Sequence, residues 1–77
     1  MSKKQIEEAV RVSLETYLRD LRGEEPAAVY DMVLRIVERP MLEVMMRHAE
    51  QNQSRAAQWL GVNRNTLRKK LVDHDLL

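Results

Sequence analysis

The twenty residues from Asn52 to Leu71 read NQSRAAQWLGVNRNTLRKKL and carry five basic side chains with no carboxylate among them. Guanidinium, ammonium, hydroxyl and carboxamide groups in this mixture make charge-assisted hydrogen bonds to anions, and a row of them on one surface suits a polyanion. The apolar residues between them have a spacing of their own. Ala57 lies four residues before Gly61, Val62 follows the glycine directly, and Leu67 and Leu71 stand one helical turn apart. A small residue lets two helices cross closely, and glycine accepts the left-handed backbone of a tight turn. Val62, Leu67 and Leu71 then anchor the second helix, so that its other face, with Asn63, Arg64, Thr66, Arg68, Lys69 and Lys70, turns outward. This is the spacing of a helix-turn-helix, and a small basic helix presented in this way fits the major groove of DNA.

The remaining residues offer no reaction chemistry. No carboxylate pair, nucleophile–base set or phosphate-cradling loop can be assembled from them, so no enzyme is expected. The lack of cysteine excludes disulfides and thiolate metal sites, and the isolated His48 and His74 read as surface polar residues; neither a metal nor a cofactor is implied. Apolar runs are only a few residues long, which excludes a signal peptide or a membrane span and makes a soluble, cytoplasmic chain the expectation.

The elements that must position the basic segment all read as helix. Ser2 is a good N-cap for a first helix running to about Arg22, with Ile6, Val10, Leu14, Tyr17 or Leu18, and Leu21 forming one stripe and Gly23 closing it. Pro26 suits the first turn of a second, longer helix that reaches about Gln51. Pro40 either starts a separate helix or kinks a continuous one; the apolar period crosses it without loop residues, which favours one kinked helix. Asn52 then caps a short helix, Gln53 to Leu60, and Asn63 caps a fourth that runs to about Val72 or Asp73. Trp59 is expected to pack against the body, and residues 74–77 either fray or fold back over the core.

The second helix is apolar over more surface than one neighbour could cover. A symmetry mate is the expected cover, with Val29, Val33, Ile36, Val37, Met41, Val44 and Met45 in the core of a homodimer. The fold class is therefore all-α: one domain in which residues 1–51 form the dimerisation helices and 52–77 the helix-turn-helix. At 77 residues, with no Phe, one Trp and two Tyr, the core must be aliphatic and methionine-rich, and a monomer would be marginal. Charge is segregated along the chain. Residues 1–50 hold eight Lys/Arg against ten Asp/Glu, while 51–77 hold five against two, so a polyanion would be met at one end only.

Over nearly its whole length the sequence resembles the factor for inversion stimulation, or Fis, family of bacterial nucleoid-associated proteins. The resemblance is carried by NQSRAAQWLGVNRNTLRKKL and continues upstream through LETYLRDL and VYDMVLRIVERPMLEVMM, including the mid-helix Pro40. It implies an intertwined homodimer that binds and bends double-stranded DNA with low sequence selectivity and regulates transcription and DNA topology in the nucleoid. Recognition helices in such dimers sit closer together than one turn of straight DNA. By position, Arg64 matches the arginine that reads guanine edges, as a guanidinium fork can. Asn63 matches a residue close to the bases. Asn52, Ser54, Arg55 and Thr66 match phosphate contacts, and Arg68, Lys69 and Lys70 match basic positions near the backbone.

Several departures qualify the resemblance. It begins at the first long helix, so the N-terminal β-hairpin arm that meets DNA invertases has no counterpart, and invertase contact is not expected. Val72 and Asp73 stand where many members have lysines that touch flanking DNA, which implies weaker flank wrapping. Ser54 replaces a threonine but keeps the hydroxyl, and Asn65 replaces a common glycine. RNA polymerase remains a further candidate partner. Two alternatives compete: the C-terminal DNA-binding and dimerisation module of an enhancer-binding response regulator, which shares strings like RNTLRKKL, and a helical protein-interaction adaptor. Met1 followed by SKKQIEE favours a free-standing chain over the first. Steep salt dependence would separate DNA binding from the second.

Overall fold

The computed structural model describes residues 2–77, which form helices α1 (Lys3–Asp20), α2 (Val29–His48), α3 (Gln53–Leu60) and α4 (Arg64–Asp73), with no strand among them. Local chemistry starts each helix. Ser2 forms a capping box: its Oγ accepts from the Gln5 amide at 3.3 Å, while its own amide donates to Gln5 Oε1 at 2.8 Å. Asn52 and Asn63 open α3 and α4 by accepting from the amides of Arg55 (3.0 Å) and Asn65 (2.7 Å). Gly61 adopts φ +76° and donates to the Ala57 carbonyl at 2.9 Å, which closes α3 and turns the chain toward α4. The two short helices therefore occupy the span read from the sequence.

The long helices are shorter than expected. α1 stops at Asp20 rather than about Arg22, because Arg22 as well as Gly23 takes a left-handed backbone, at φ 52° and 89°. Pro26 lies in the connection, not in the first turn of α2; the left-handed Ala28, at φ 53°, breaks helical continuity between them and serves as N-cap without a side-chain hydrogen bond. At the far end α2 stops at His48, since Glu50 and Gln51 are both left-handed. The Gln51 amide still closes the end by donating to the Met46 carbonyl at 2.9 Å. Through Pro40, α2 is one continuous helix. Proline has no N–H, so the Ile36 carbonyl loses its usual helical donor there.

The core sits at one end of the molecule. Leu42, Met46 and Ala49 of the α2 end pack with Ala56 and Ala57 of α3 and Leu67 and Leu71 of α4, with Leu60 and Leu76 at its margin. His74 is also buried there, 3% exposed, which corrects its reading as a surface residue. The chain after α4 folds back instead of fraying, and the Leu76 amide donates to the Leu71 carbonyl at 2.8 Å. Trp59 corrects the opposite way: it is 52% exposed. On α3 the inner stripe is Ala56, Ala57 and Leu60, and an indole at position 59 falls about 100° around the helix from its centre. Val62 is likewise partly exposed, so Leu67 and Leu71 are the anchors of α4.

The other end is open. α1 buries no residue, and between it and the first half of α2 lies an apolar groove of about 430 Å³ walled by Ile6, Val10, Leu14, Tyr17, Val33 and Ile36. Ile36 is 63% exposed, and Val37, Met41 and Val44 are also exposed; Val29, Val33 and Met45 are half-buried. The accessible surface is 6437 Å², against roughly 4,900 Å² for a compact monomer of this mass. The radius of gyration is 15.0 Å, against about 11.5 Å for a compact chain of this length.

Because Leu67 is fully buried at the crossing of three helices, Leu67→Ala should destabilise the protein by about 2–5 kcal/mol. Val72→Ala, on the exposed side of the same helix, should change stability by less than about 0.5 kcal/mol. Urea unfolding followed by circular dichroism checks both, and similar losses for the two would contradict this placement of the core.

Candidate nucleic-acid interface

The outer surface of the helix-turn-helix is built by what it does not bury. Leu67 and Leu71 fix the inner side of α4, so Asn63, Arg64, Thr66, Arg68 and Lys69 are all exposed on the remainder of its surface. Asn52, Ser54 and Arg55 at the start of α3 are exposed as well. Among the described residues, no carboxylate lies within salt-bridge distance of Arg55, Arg64, Arg68 or Lys69. Asp73 borders Arg68 and Lys69 on this side, but the cations outnumber it and the net charge there is positive.

Both helix starts contribute more than charge. The first amides of a helix have no intrahelical acceptor, and the aligned peptide dipoles favour an anion beside them. Asn52 and Asn63 each use the side-chain oxygen for one such amide, which leaves their NH₂ groups as donors. Two helix N-termini and the exposed Arg55, Arg64, Arg68 and Lys69 have the donors and charge that suit phosphates. Arg64, in the first turn of α4, combines a planar donor fork with an exposed position.

Lys70 is placed differently from its neighbours. Its ammonium donates to Glu38 Oε2 at 2.7 Å, so it faces α2 rather than the outer surface. The other carboxylate oxygen, Glu38 Oε1, lies 2.8 Å from His74 Nε2. Arg35 Nη2 donates to the Asp73 carbonyl at 2.7 Å, and Arg39 Nη1 donates to the His74 carbonyl. Arg35, Glu38 and Arg39 thus form a polar stripe on α2 that holds the last turn of α4. The sequence reading missed it, although charged residues at i, i+3 and i+4 within an apolar helix were a usable signal that some partner lies opposite.

The Lys70 hydrogen bond holds the Glu38 carboxyl below the ordinary carboxylate range; partial burial opposes this, and the His74 ring adds to the lowering. The lowered value sets the sign of a pH effect. A carboxyl with a depressed folded-state pKa adds stability above its unfolded value, about 4.3, and loses it as the pH falls through the folded value. The urea midpoint should therefore fall as the pH drops below roughly 5, and Glu38→Gln should flatten that fall. Equal slopes for the two proteins would show that Glu38 contributes nothing to it.

Residues 33–73 match the family described as bacterial regulatory protein, Fis family. A Ralstonia nicotianae chain described as a Fis-like DNA-binding protein is 61% identical over 77 residues, which is 100% of both chains. A Neisseria meningitidis chain of the same description is 54% identical over 94% of this chain and 91% of its own length. The DNA-binding protein Fis of Aliivibrio fischeri is 44% identical over 99% of this chain and 78% of its own.

Proposed function

This chain belongs to the Fis family of bacterial regulatory proteins, and on that premise we propose that it works as a homodimer that binds and bends double-stranded DNA. The observation that carries the reading is the outer surface of α4: exposed, cationic and without a carboxylate partner, behind which Leu67 and Leu71 are fully buried. The names of the relatives support DNA as the ligand.

In this reading a second copy fills the groove between α1 and α2. Val33, Ile36 and Val37 line it, Val29, Met41, Val44 and Met45 extend the seam along the same helix, and the exposure of Ile36, Val37, Met41 and Val44 in a single chain supports the assignment. The two copies of α4 enter successive major grooves of one duplex. Arg64 reads guanine through its N7 and O6 acceptors, and Asn63 lies against neighbouring base edges. Asn52, Ser54, Arg55, Thr66, Arg68 and Lys69 hold phosphates on either side. Lys70 makes a weaker contribution because Glu38 already compensates its charge. Selectivity beyond Arg64 comes from how readily a sequence bends. Such a protein acts in the bacterial nucleoid as a regulator of transcription and DNA topology. No helix among the described residues is long and apolar enough to cross a membrane.

A circular-permutation gel shift tests dimer binding and bending together. Mobility should vary with the position of the site in the fragment; a shift of constant mobility would sink the bending mechanism. Within the interface, Arg64→Ala should cost about 1–3 kcal/mol at a preferred site and relax base preference. Thr66→Ala should weaken preferred and random duplexes alike, as a phosphate contact does. Competition binding against random DNA separates the two patterns, and interchanged patterns would reverse the assignments.

A further inference from the structure

We infer that Arg35 and Arg39 are positioning residues for the DNA-reading helix: they fix the angle of α4 on α2 and so set the half-site separation that the dimer accepts. The inference rests on the proposed reading of the chain as a DNA-binding dimer. Its physical basis is a pair of attachment points. The first is apolar: Leu67 and Leu71 pack with Leu42 and Met46 in the second half of α2. Apolar contact is non-directional, so on its own it lets a ten-residue helix pivot about the contact. The second is polar and lies just beyond Leu71, at the C-terminal end of α4. Its last carbonyls have no intrahelical donors, and two guanidinium groups supply them, Arg35 to Asp73 and Arg39 to His74.

Arg35 precedes Leu42 by seven residues, about 10 Å along a helix. Two attachments that far apart define a direction, where one defines only a point. Around the second attachment the side chains are themselves held. Glu43 Oε1 lies 3.5 Å from Arg39 Nε, and Glu38 joins Lys70 and His74 between the two arginines. Positions 35, 38, 39 and 43 share one face of α2, while Val33, Ile36 and Val37 of the same turns line the groove proposed for the second copy. The helix that carries the dimer seam therefore also grips the end of α4. Because Arg39 and Glu43 are about half exposed, the main consequence of their contact is orientation rather than stability. In a two-fold helix-turn-helix dimer, orientation is read out as half-site spacing.

The test uses the full-length protein and the variant Arg35→Met/Arg39→Met, which keeps the aliphatic stems and removes the donors. Circular dichroism and sedimentation first establish that the variant is folded and associated like the parent. Both proteins are then titrated with duplexes carrying two guanine-bearing half-sites whose separation changes one base pair at a time, from below to above one helical turn of roughly 10 bp. The parent should show an optimum, with affinity falling roughly tenfold across the series, and the variant less than about threefold. A profile of unchanged shape at lower affinity would overturn the positioning role. If the parent binds no duplex, the DNA-binding reading fails, and a second measurement still decides the inference. The chain has no cysteine, so spin labels at Asp31→Cys and Val72→Cys, diluted with unlabelled protein, report the α2–α4 distance within one chain. A broader distance distribution in the Arg35→Met/Arg39→Met background supports the clamp, and an unchanged width overturns it. A single Arg39→Met variant serves both measurements if the double variant does not fold.

Discussion

The shortage of apolar cover within one chain governs this molecule. Among the described residues seven apolar residues are buried, all at the end where α3 and α4 cross α2, and α1 buries none. The surface excess over a compact monomer, roughly 1,500 Å², is of the size that one partner contributes to an obligate interface. A single core in a domain this small supplies about 3–5 kcal/mol at best. Disulfides are excluded, since there is no cysteine. A second copy in the groove between α1 and α2 is the route to stability that the composition leaves open, and the proposed function depends on it, because one basic helix reads DNA weakly and two at a fixed separation can bend it.

The same helix answers two needs. Apolar residues of α2 lie open along the groove, while Arg35, Glu38 and Arg39 of the same turns hold the last turn of α4. Lys70 is drawn into that hold and leaves the outer surface to Arg55, Arg64, Arg68 and Lys69. The cationic surface is thus smaller than the run of basic residues implies, and better defined. In the proposed dimer, phosphate contacts would supply affinity that tolerates many sequences, and the separation and angle of the two copies of α4 would carry much of the selectivity.

The helix-turn-helix was legible in the sequence because its signals are local. Asn52, Gly61 and Asn63 each act within three or four residues of themselves, and the observed bounds of α3 and α4 follow from them. The ends of α1 and α2 were not legible in the same way. Arg22, Ala28, Glu50 and Gln51 adopt left-handed backbone although none is glycine, and no residue type announces this. The exposure of Trp59 required the register of α3 against its neighbours, which depends on all three packed helices together. The Glu38 contacts span 32 and 36 residues. Nothing near Lys70 or His74 marks them as inward-facing; only the charged stripe in α2 hinted at an opposing partner.

The proposed function requires two chains to associate before any DNA is present. Sedimentation equilibrium of the free protein, over a concentration series reaching below micromolar, tests this most directly. A single folded species of about twice the 9.1 kDa chain mass is predicted throughout. A monomer that keeps its full helix content at the lowest concentrations would contradict the account.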